Sequence, residues 1–271
     1  MKLAYNGVID DELLVFYHEQ TLRELMALRA HFMGQESDPI MSWLRMVATS
    51  RLTGHSVGFF SVFSMPPNQA VSVKSQRRIN ERRNQVPPVR DVKGILLKKS
   101  KALLGKLTQS ELDSLREAGA KTQLFTRSAD DLGKIKASSI QLVITSPPFL
   151  DVIDYQSHNW LRCWFNGFNA KKVPIWQLRK PQDWQEAIGR VFRELIRVLK
   201  PKGFVAFEVG EIHKGELKME ELVIPAAKQA GFEVICVMVN AQEFTKTANC
   251  WGVDNQKKGT NTNRIVLLQK A

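Results

Sequence analysis

The chain has 271 residues, 44% of them hydrophobic, with a formal net charge of +12 and a pI near 9.7. That length and apolar content can bury a substantial core in one or two domains. There is no run of eighteen apolar residues, and Met1-Lys2-Leu3-Ala4-Tyr5-Asn6 does not begin a signal peptide, so a cytoplasmic chain without a membrane span is expected. Cys163, Cys236 and Cys250 are odd in number, far apart and free of Cys-x-x-Cys pairing, which argues against a disulfide framework and against a zinc site. They are expected to be reduced, half-buried thiols. The five histidines show no metal spacing, so no metal is expected.

Residues 1–120 read as mostly helical. Leu22, Leu25, Met26, Leu28 and Phe32 recur at helical spacing between Glu19 and Phe32, and Ser37 with Pro39 is expected to start a second helix through Trp43, Leu44 and Val47. A glycine-containing stretch, Gly54 to Phe60, leads to a loop at Met65-Pro66-Pro67. From Lys74 to Lys106 there are eleven Lys or Arg against Glu81 and Asp91, so this block carries +9 of the net +12. Charge runs are commonly solvated helix faces. A block holding most of the chain's excess charge also suits phosphate binding, with Arg77, Arg78, Arg82, Arg83, Lys98 and Lys99 as the candidate contacts. Thr108-x-x-Glu111 is a capping box for a short helix that Gly119 is expected to close.

Residues 121–271 alternate strand and helix, the pattern of a doubly wound α/β sheet. Strands are expected at Thr122–Thr126, Gln141–Thr145, Phe204–Glu208, Phe232–Asn240 and Arg264–Gln269. Trp184, Ile188, Val191, Leu195 and Val198 mark a long amphipathic helix stopped by Pro201, and a second helix over Glu220 to Ala230 ends at Gly231. The last two strands have no helix between them and are expected to form an antiparallel hairpin at the sheet edge. Functional residues should gather at the carboxyl ends of the strands.

One such end is distinctive. Leu142-Val143-Ile144 runs into Thr145-Ser146-Pro147-Pro148-Phe149. Each proline restricts the residue before it to extended conformations, so the loop is stiff, and proline has no N–H, so the loop is rich in acceptors. It suits a ligand that donates hydrogen bonds, such as an exocyclic amino group. An isolated Ser-Pro-Pro-Phe could equally be a strand-to-loop stop with Phe149 plugging the core.

Ser146-Pro147-Pro148-Phe149 after a hydrophobic strand resembles the catalytic motif of bacterial site-specific DNA amino-methyltransferases, and serine in first place is most typical of the cytosine-N4 members, as against adenine-N6. Val198-Leu199-Lys200-Pro201-Lys202-Gly203-Phe204-Val205 resembles the helix-turn-strand that follows this motif. Asn249-Cys250-Trp251-Gly252-Val253 and Gly259 to Ile265 are similar to the closing segment of the same enzymes. The resemblance covers roughly residues 121–271. It implies a partial class I (Rossmann-like) methyltransferase sheet behind an N-terminal helical, basic region, divided as 1–120 and 121–271. It also implies S-adenosyl-L-methionine as cofactor and double-stranded DNA, in a restriction-modification setting, as substrate.

In such an enzyme the Ser146 side chain and the Pro147 carbonyl would accept hydrogen bonds from the target NH2, favouring a nitrogen whose lone pair is free to attack, while Phe149 would stack on the flipped base. The family's Phe-x-Gly-x-Gly turn and the following acidic strand are not visible. Phe207-Glu208-Val209-Gly210-Glu211, with Gly215 beyond, instead reads as the strand after the catalytic helix. Since the chain passes almost at once into helical pattern, the cofactor site is expected to be incomplete here, with its other half in a second polypeptide or lost. Ser128 and Thr145 are the candidate cofactor contacts. Ser128-Ala129-Asp130-Asp131-Leu132 resembles the family's Gly-Asp-Ala-x-x-Leu near the cofactor adenine, and an N-cap is the equal alternative. Tyr155 is the candidate for the target-base pocket, against a core aromatic. Two rival readings stay open: an RNA or protein amino-methyltransferase, and a non-catalytic DNA-binding remnant or subunit of a split methylase.

Overall fold

The computed structural model describes residues 4–34, 38–64, 70–148, 150, 154–212, 217–241 and 262–271. Phe149, Pro66-Pro67, Gly215, Cys250 and the segment 249–261 lie outside the described residues. The chain divides into two units: one of residues 1–122 with 155–175, the other of 123–154 with 176–271. The helical unit thus takes in residues 155–175 as well as the N-terminal stretch.

The helical unit contains α1 (Glu19–Met33), α2 (Pro39–Thr49), α3 (Val73–Arg83), α4 (Val92–Leu104), α5 (Gln109–Lys121) and α6 (Tyr155–Phe165). Asp38, not Ser37, caps α2, accepting from the Met41 amide at 3.2 Å. Leu22, Leu25 and Leu28 of α1, Val47 of α2, Val92 and Leu96 of α4, and Leu161 and Phe165 of α6 form one core with Phe16, Tyr17 and Phe60. The segment 155–175 joins this unit because its apolar face finds partners there. Phe165 meets Phe32 edge-on at 6.0 Å, Trp160 lies 5.9 Å from Phe16 and donates to the Val71 carbonyl, and Arg45 on α2 donates to Asn166 at 2.7 Å. Tyr17 is fully buried with its hydroxyl donating to the Leu52 carbonyl, and burial pushes its ionisation above the usual tyrosine range.

The expected capping box opens α5: the Glu111 amide donates to Thr108 Oγ1, and Glu111 Oε2 accepts from the Thr108 amide at 2.7 Å. The Thr108 amide and then its hydroxyl, both donating to Oε2, hold the Glu111 carboxyl below its usual range. Gly119 does not close this helix, which runs on to Lys121. Its backbone is helical and a Cβ added there would meet nothing, so no close contact or positive φ demands the glycine.

The second unit is α/β, built on a partial mixed sheet. Its strands are β1 (Ile140–Thr145), β2 (Leu199–Val209), β5 (Phe232–Ala241) and β6 (Thr262–Lys270), in the order β1-β2-β6-β5; a separate short ribbon pairs β3 (Glu211–Ile212) with β4 (Leu217–Lys218). β1 runs parallel to β2, while β6 runs antiparallel to both β2 and β5. The last two strands pair as expected, but β6 lies inside the sheet and β5 takes the edge. Helices α7 (Pro181–Val198) and α8 (Glu220–Gln229) cover one face. Ile188, Val191, Phe192 and Leu195 of α7 and Val223, Ala226 and Ala227 of α8 bury Val205, Phe207 and Val209 of β2 and Val266 and Leu268 of β6. Phe192 sits 5.0 Å from Phe207 and 5.8 Å from Phe232. Gly231, at φ +97°, ends the α8 segment as expected.

Two expectations fail in physically clear ways. Thr122–Thr126 is not a strand: Leu124 is 91% exposed, and with no strand among the described residues to pair with it, β propensity alone does not order it. The Leu199-Lys200-Pro201-Lys202-Gly203 turn is itself the start of β2, with an irregular register against β1 and Lys202 at φ 60°. Gly203 is required there, since a Cβ would lie 2.9 Å from the Lys200 carbonyl oxygen and 3.1 Å from that of Gln141 on β1. Both are backbone atoms with little room to yield. Gly203→Ala is therefore expected to destabilise the chain by about 1–3 kcal/mol, the range of a forced overpacking. Urea denaturation checks this, and an unchanged midpoint would contradict the close packing of β1 on β2.

Among the described residues no helix is long and apolar enough to cross a membrane, and no group of three His, Cys, Asp or Glu is placed to hold a metal ion. Cys236 is exposed on β5 rather than half-buried, because it falls at the register irregularity of an edge strand. Cys163 is half-buried, its thiol pushed up by burial and pulled back by Arg162.

Candidate active site at the carboxyl end of β1

The parallel pairing of β1 and β2 brings Thr145 level with Phe207, so Ser146 leaves the sheet at its carboxyl end. Thr145 is half-buried, Ser146 exposed, Pro147 half-buried and Pro148 exposed; Leu150, just beyond, is buried in the sheet core. The loop is pinned at its far side. Trp184, 4% exposed in the first turns of α7, donates its indole N–H to the Pro148 carbonyl at 3.2 Å. That bond uses the Pro148 acceptor and leaves the Ser146 and Pro147 positions free of hydrogen bonds to described residues. The Ser146 hydroxyl has no partner among them. A rigid loop with an unspent hydroxyl and an unspent carbonyl can accept two hydrogen bonds from one incoming group.

A second pair occupies the same end of the sheet. Arg264 on β6 lies opposite Val209 on β2, and its Nη1 donates to Glu220 Oε1 at 2.5 Å, with both side chains almost fully withdrawn from solvent. Glu220 Oε2 is buried without a hydrogen-bond partner. Sequence reading missed both the Trp184 anchor and this ion pair. Trp184 looks like any core aromatic at helical spacing, and Glu220 and Arg264 stand 44 residues apart with no local signal.

The remaining candidates fall in separate places. Ser128 is exposed, and its hydroxyl donates to Asp130, which also accepts from Arg190 on α7 at 3.0 Å. The Ser128 bond holds the Asp130 carboxyl low against the burial penalty, with Arg190 adding to the effect. The Ser128-to-Asp131 turn, with Arg127 paired to Asp131, thus fastens the chain onto α7. Tyr155 is the first residue of α6, in the helical unit, whereas Thr145 to Pro148 belong to the α/β unit.

The basic block is built on two helices. Gln76 and Ile79 turn α3 inward, where the Gln76 amide donates to the Phe63 carbonyl and to Asn80, so Lys74, Arg77, Arg78, Arg82 and Arg83 are left on the exposed side. Arg83 is partly committed, its guanidinium lying 3.4 Å over the Phe63 ring. On α4, Val92 and Leu96 are buried, Lys98 is exposed and Lys99 is half-buried.

No protein-family model and no curated protein matches the chain. Among solved structures, a putative DNA modification methylase from Thermus thermophilus in complex with S-adenosyl-L-methionine is 17% identical over 53% of this chain and 53% of its own, with a TM-score of 0.33. The cytosine-N4-specific PvuII DNA methyltransferase is 18% identical, covering 55% of this chain and 48% of its own, also at 0.33. An S-adenosylmethionine-dependent methyltransferase from Methanosarcina mazei is 13% identical over 60% of this chain and 78% of its own, at 0.31. The chain spans about half the length of the two DNA methylases.

Proposed function

We propose that this chain is the catalytic part of a DNA methyltransferase acting on the exocyclic amino group of a flipped base, with cytosine N4 favoured over adenine N6. The observation that carries this reading is the stiff Ser146-Pro147-Pro148 loop at the carboxyl end of β1. Its Ser146 hydroxyl is exposed and unpartnered among the described residues, and its far side is fixed by Trp184. The Ser146 oxygen and the Pro147 carbonyl would take the two N–H bonds of the amino group, and Phe149 would supply a flat ring for the base. The exposed arginines of α3 would hold the phosphates of double-stranded DNA.

S-adenosyl-L-methionine is the proposed methyl donor, and the described residues do not by themselves form a fitting site for it. No glycine turn follows a described strand beside β1, Thr122–Thr126 is not a strand, and the Ser128 hydroxyl is spent on Asp130. Thr145, at the end of β1, remains available. The β1 strand itself supports a divided site. Leu142 is 52% and Ile144 77% exposed on the face away from α7 and α8, and no described strand pairs with the outer edge. Ile-Gln-Leu-Val-Ile-Thr is nonetheless the composition of a strand covered on both faces. A second polypeptide adding a strand with the glycine turn to that edge would complete both sheet and site. The same openness favours the runner-up, a DNA-binding subunit without activity of its own.

Expression in cells with the polypeptides encoded beside this chain, followed by mass spectrometry of the DNA nucleosides, tests the proposal. N4-methylcytosine is the expected product, with only weak cofactor binding by the chain alone in calorimetry. Duplex binding without any methylated nucleoside would favour the runner-up.

A further inference from the structure

An open cleft of about 560 Å³ lies within the helical unit, between the turn after α2 and the first half of α4. Its polar lining is lopsided: Arg51, Arg90, Lys98 and Lys99 against one acid, Asp91. Asp91 is already engaged as the N-cap of α4, accepting from the Gly94 amide at 2.9 Å. None of the four cations forms an ion pair among the described residues. Arg90 is held from the backbone side, its amide donating to the fully buried Thr21 hydroxyl at 2.9 Å, while its Nε is buried and has no acceptor. Arg51 is fixed by stacking, its guanidinium 4.3 Å from the Phe59 ring centre, with its Nε donating to Ser50. Burial pulls its ionisation below the usual arginine range.

A buried guanidinium nitrogen without an acceptor is costly to leave unmade, and a desolvated cation gains most from an anion brought to it. Four cations against one engaged acid leave the cleft with an excess of positive charge that suits an anion. A carboxylate would neutralise one charge of four, whereas a phosphate ester brings up to two charges and several acceptor oxygens that match the planar guanidinium fork. The volume exceeds a bare phosphate and lies within the range of small-ligand pockets. Ile95, Val89 and Val57 add an apolar part to the lining.

We infer that this cleft binds a phosphate ester carrying an apolar or planar body, with Arg51 and Arg90 on the phosphate and Ile95, Val89 and Val57 against the body. The site lies within the helical unit and does not depend on the methyl-transfer reading. Nor does it use the α3 arginines, which point from another helix.

The test is NMR of the full chain with 15N-labelled arginine, following the Arg90 Nε–H signal, assigned by its loss in Arg90→Lys. Phenyl phosphate is expected to shift that signal in a saturable way and at lower concentration than inorganic phosphate. By calorimetry, which does not need that signal, Arg90→Gln is expected to weaken binding of phenyl phosphate at least tenfold, and Lys98→Gln severalfold. Because the signal is read in the unmodified protein, the result survives a variant that folds poorly. Two further titrations separate the sources of such an ester. Saturation by a nucleoside monophosphate would point to a free nucleotide, and saturation by a short DNA duplex would place a backbone phosphate there. A shift that follows ionic strength alone, equal for sodium chloride and phenyl phosphate, would overturn the inference, as would failure of both nucleotide and duplex.

Discussion

Reversing Arg77, Arg78 and Arg82 to glutamate is expected to lower duplex DNA affinity by about a hundredfold near 0.15 M salt. It should also flatten the log–log salt dependence by about 2.7. Both figures come from one relation: each phosphate neutralised contributes about 0.9 to the slope, and three such contacts at that salt amount to roughly two decades of affinity. The three residues are chosen because α3 leaves them exposed while Gln76 and Ile79 face inward, so their loss should spare the fold. Arg83 is the internal control. Its guanidinium lies over Phe63, so Arg83→Glu should cost about 0.5–1 kcal/mol of stability, as well as a phosphate contact. Fluorescence anisotropy at four salt concentrations measures the slope. An unchanged slope in the triple variant would make the block an ordinary solvated helix face.

How much of this was legible beforehand depends on the range of the interaction. The helix over Trp184 to Val198 and the strand before Ser146 follow from local periodicity; both formed where expected, the helix because its apolar face packs on Val205 and Phe207 and the strand because it pairs with β2. The capping box at Thr108 was equally local. Thr122–Thr126 misled because Gln-Leu-Phe-Thr has strand composition but no partner strand, and a strand exists only in a sheet. The membership of α6 was hidden for the opposite reason. Its partners, Phe16, Phe32 and Arg45, lie more than a hundred residues earlier, and only tertiary packing reveals that they meet. Arg51 and Arg90 carry no shared motif, so their cleft could not be read from spacing. The site itself was half legible. The composition of Ser146 to Pro148 announced a stiff, acceptor-rich loop, but which acceptors remain free depends on Trp184, whose indole takes Pro148 out of play.

That division of labour within the loop gives the sharpest expectation for the reaction. With a partner supplying the cofactor half, Ser146→Ala should reduce methyl transfer by roughly 10²–10³-fold, comparable to removing one positioned group that acts on developing charge, while DNA affinity stays nearly constant. The reason is geometric. Ser146 is exposed and makes no hydrogen bond to described residues, so its removal costs the fold little and takes away one of two acceptors for the amino group. Trp184→Phe should behave differently. Losing the indole N–H removes a bond of about 0.5–1.5 kcal/mol and frees the Pro148 carbonyl, loosening the loop without touching the substrate. The rate should then fall modestly, together with the melting temperature. Phe149→Ala should instead weaken capture of the flipped base by about 1–3 kcal/mol, and Phe149→Tyr should be tolerated, since stacking needs only a flat ring. Single-turnover assays alongside thermal melts separate the three. If Ser146→Ala left the rate intact while Trp184→Phe abolished it, the loop would be a structural stop, and the amino-group acceptors would have to be sought elsewhere at this end of the sheet.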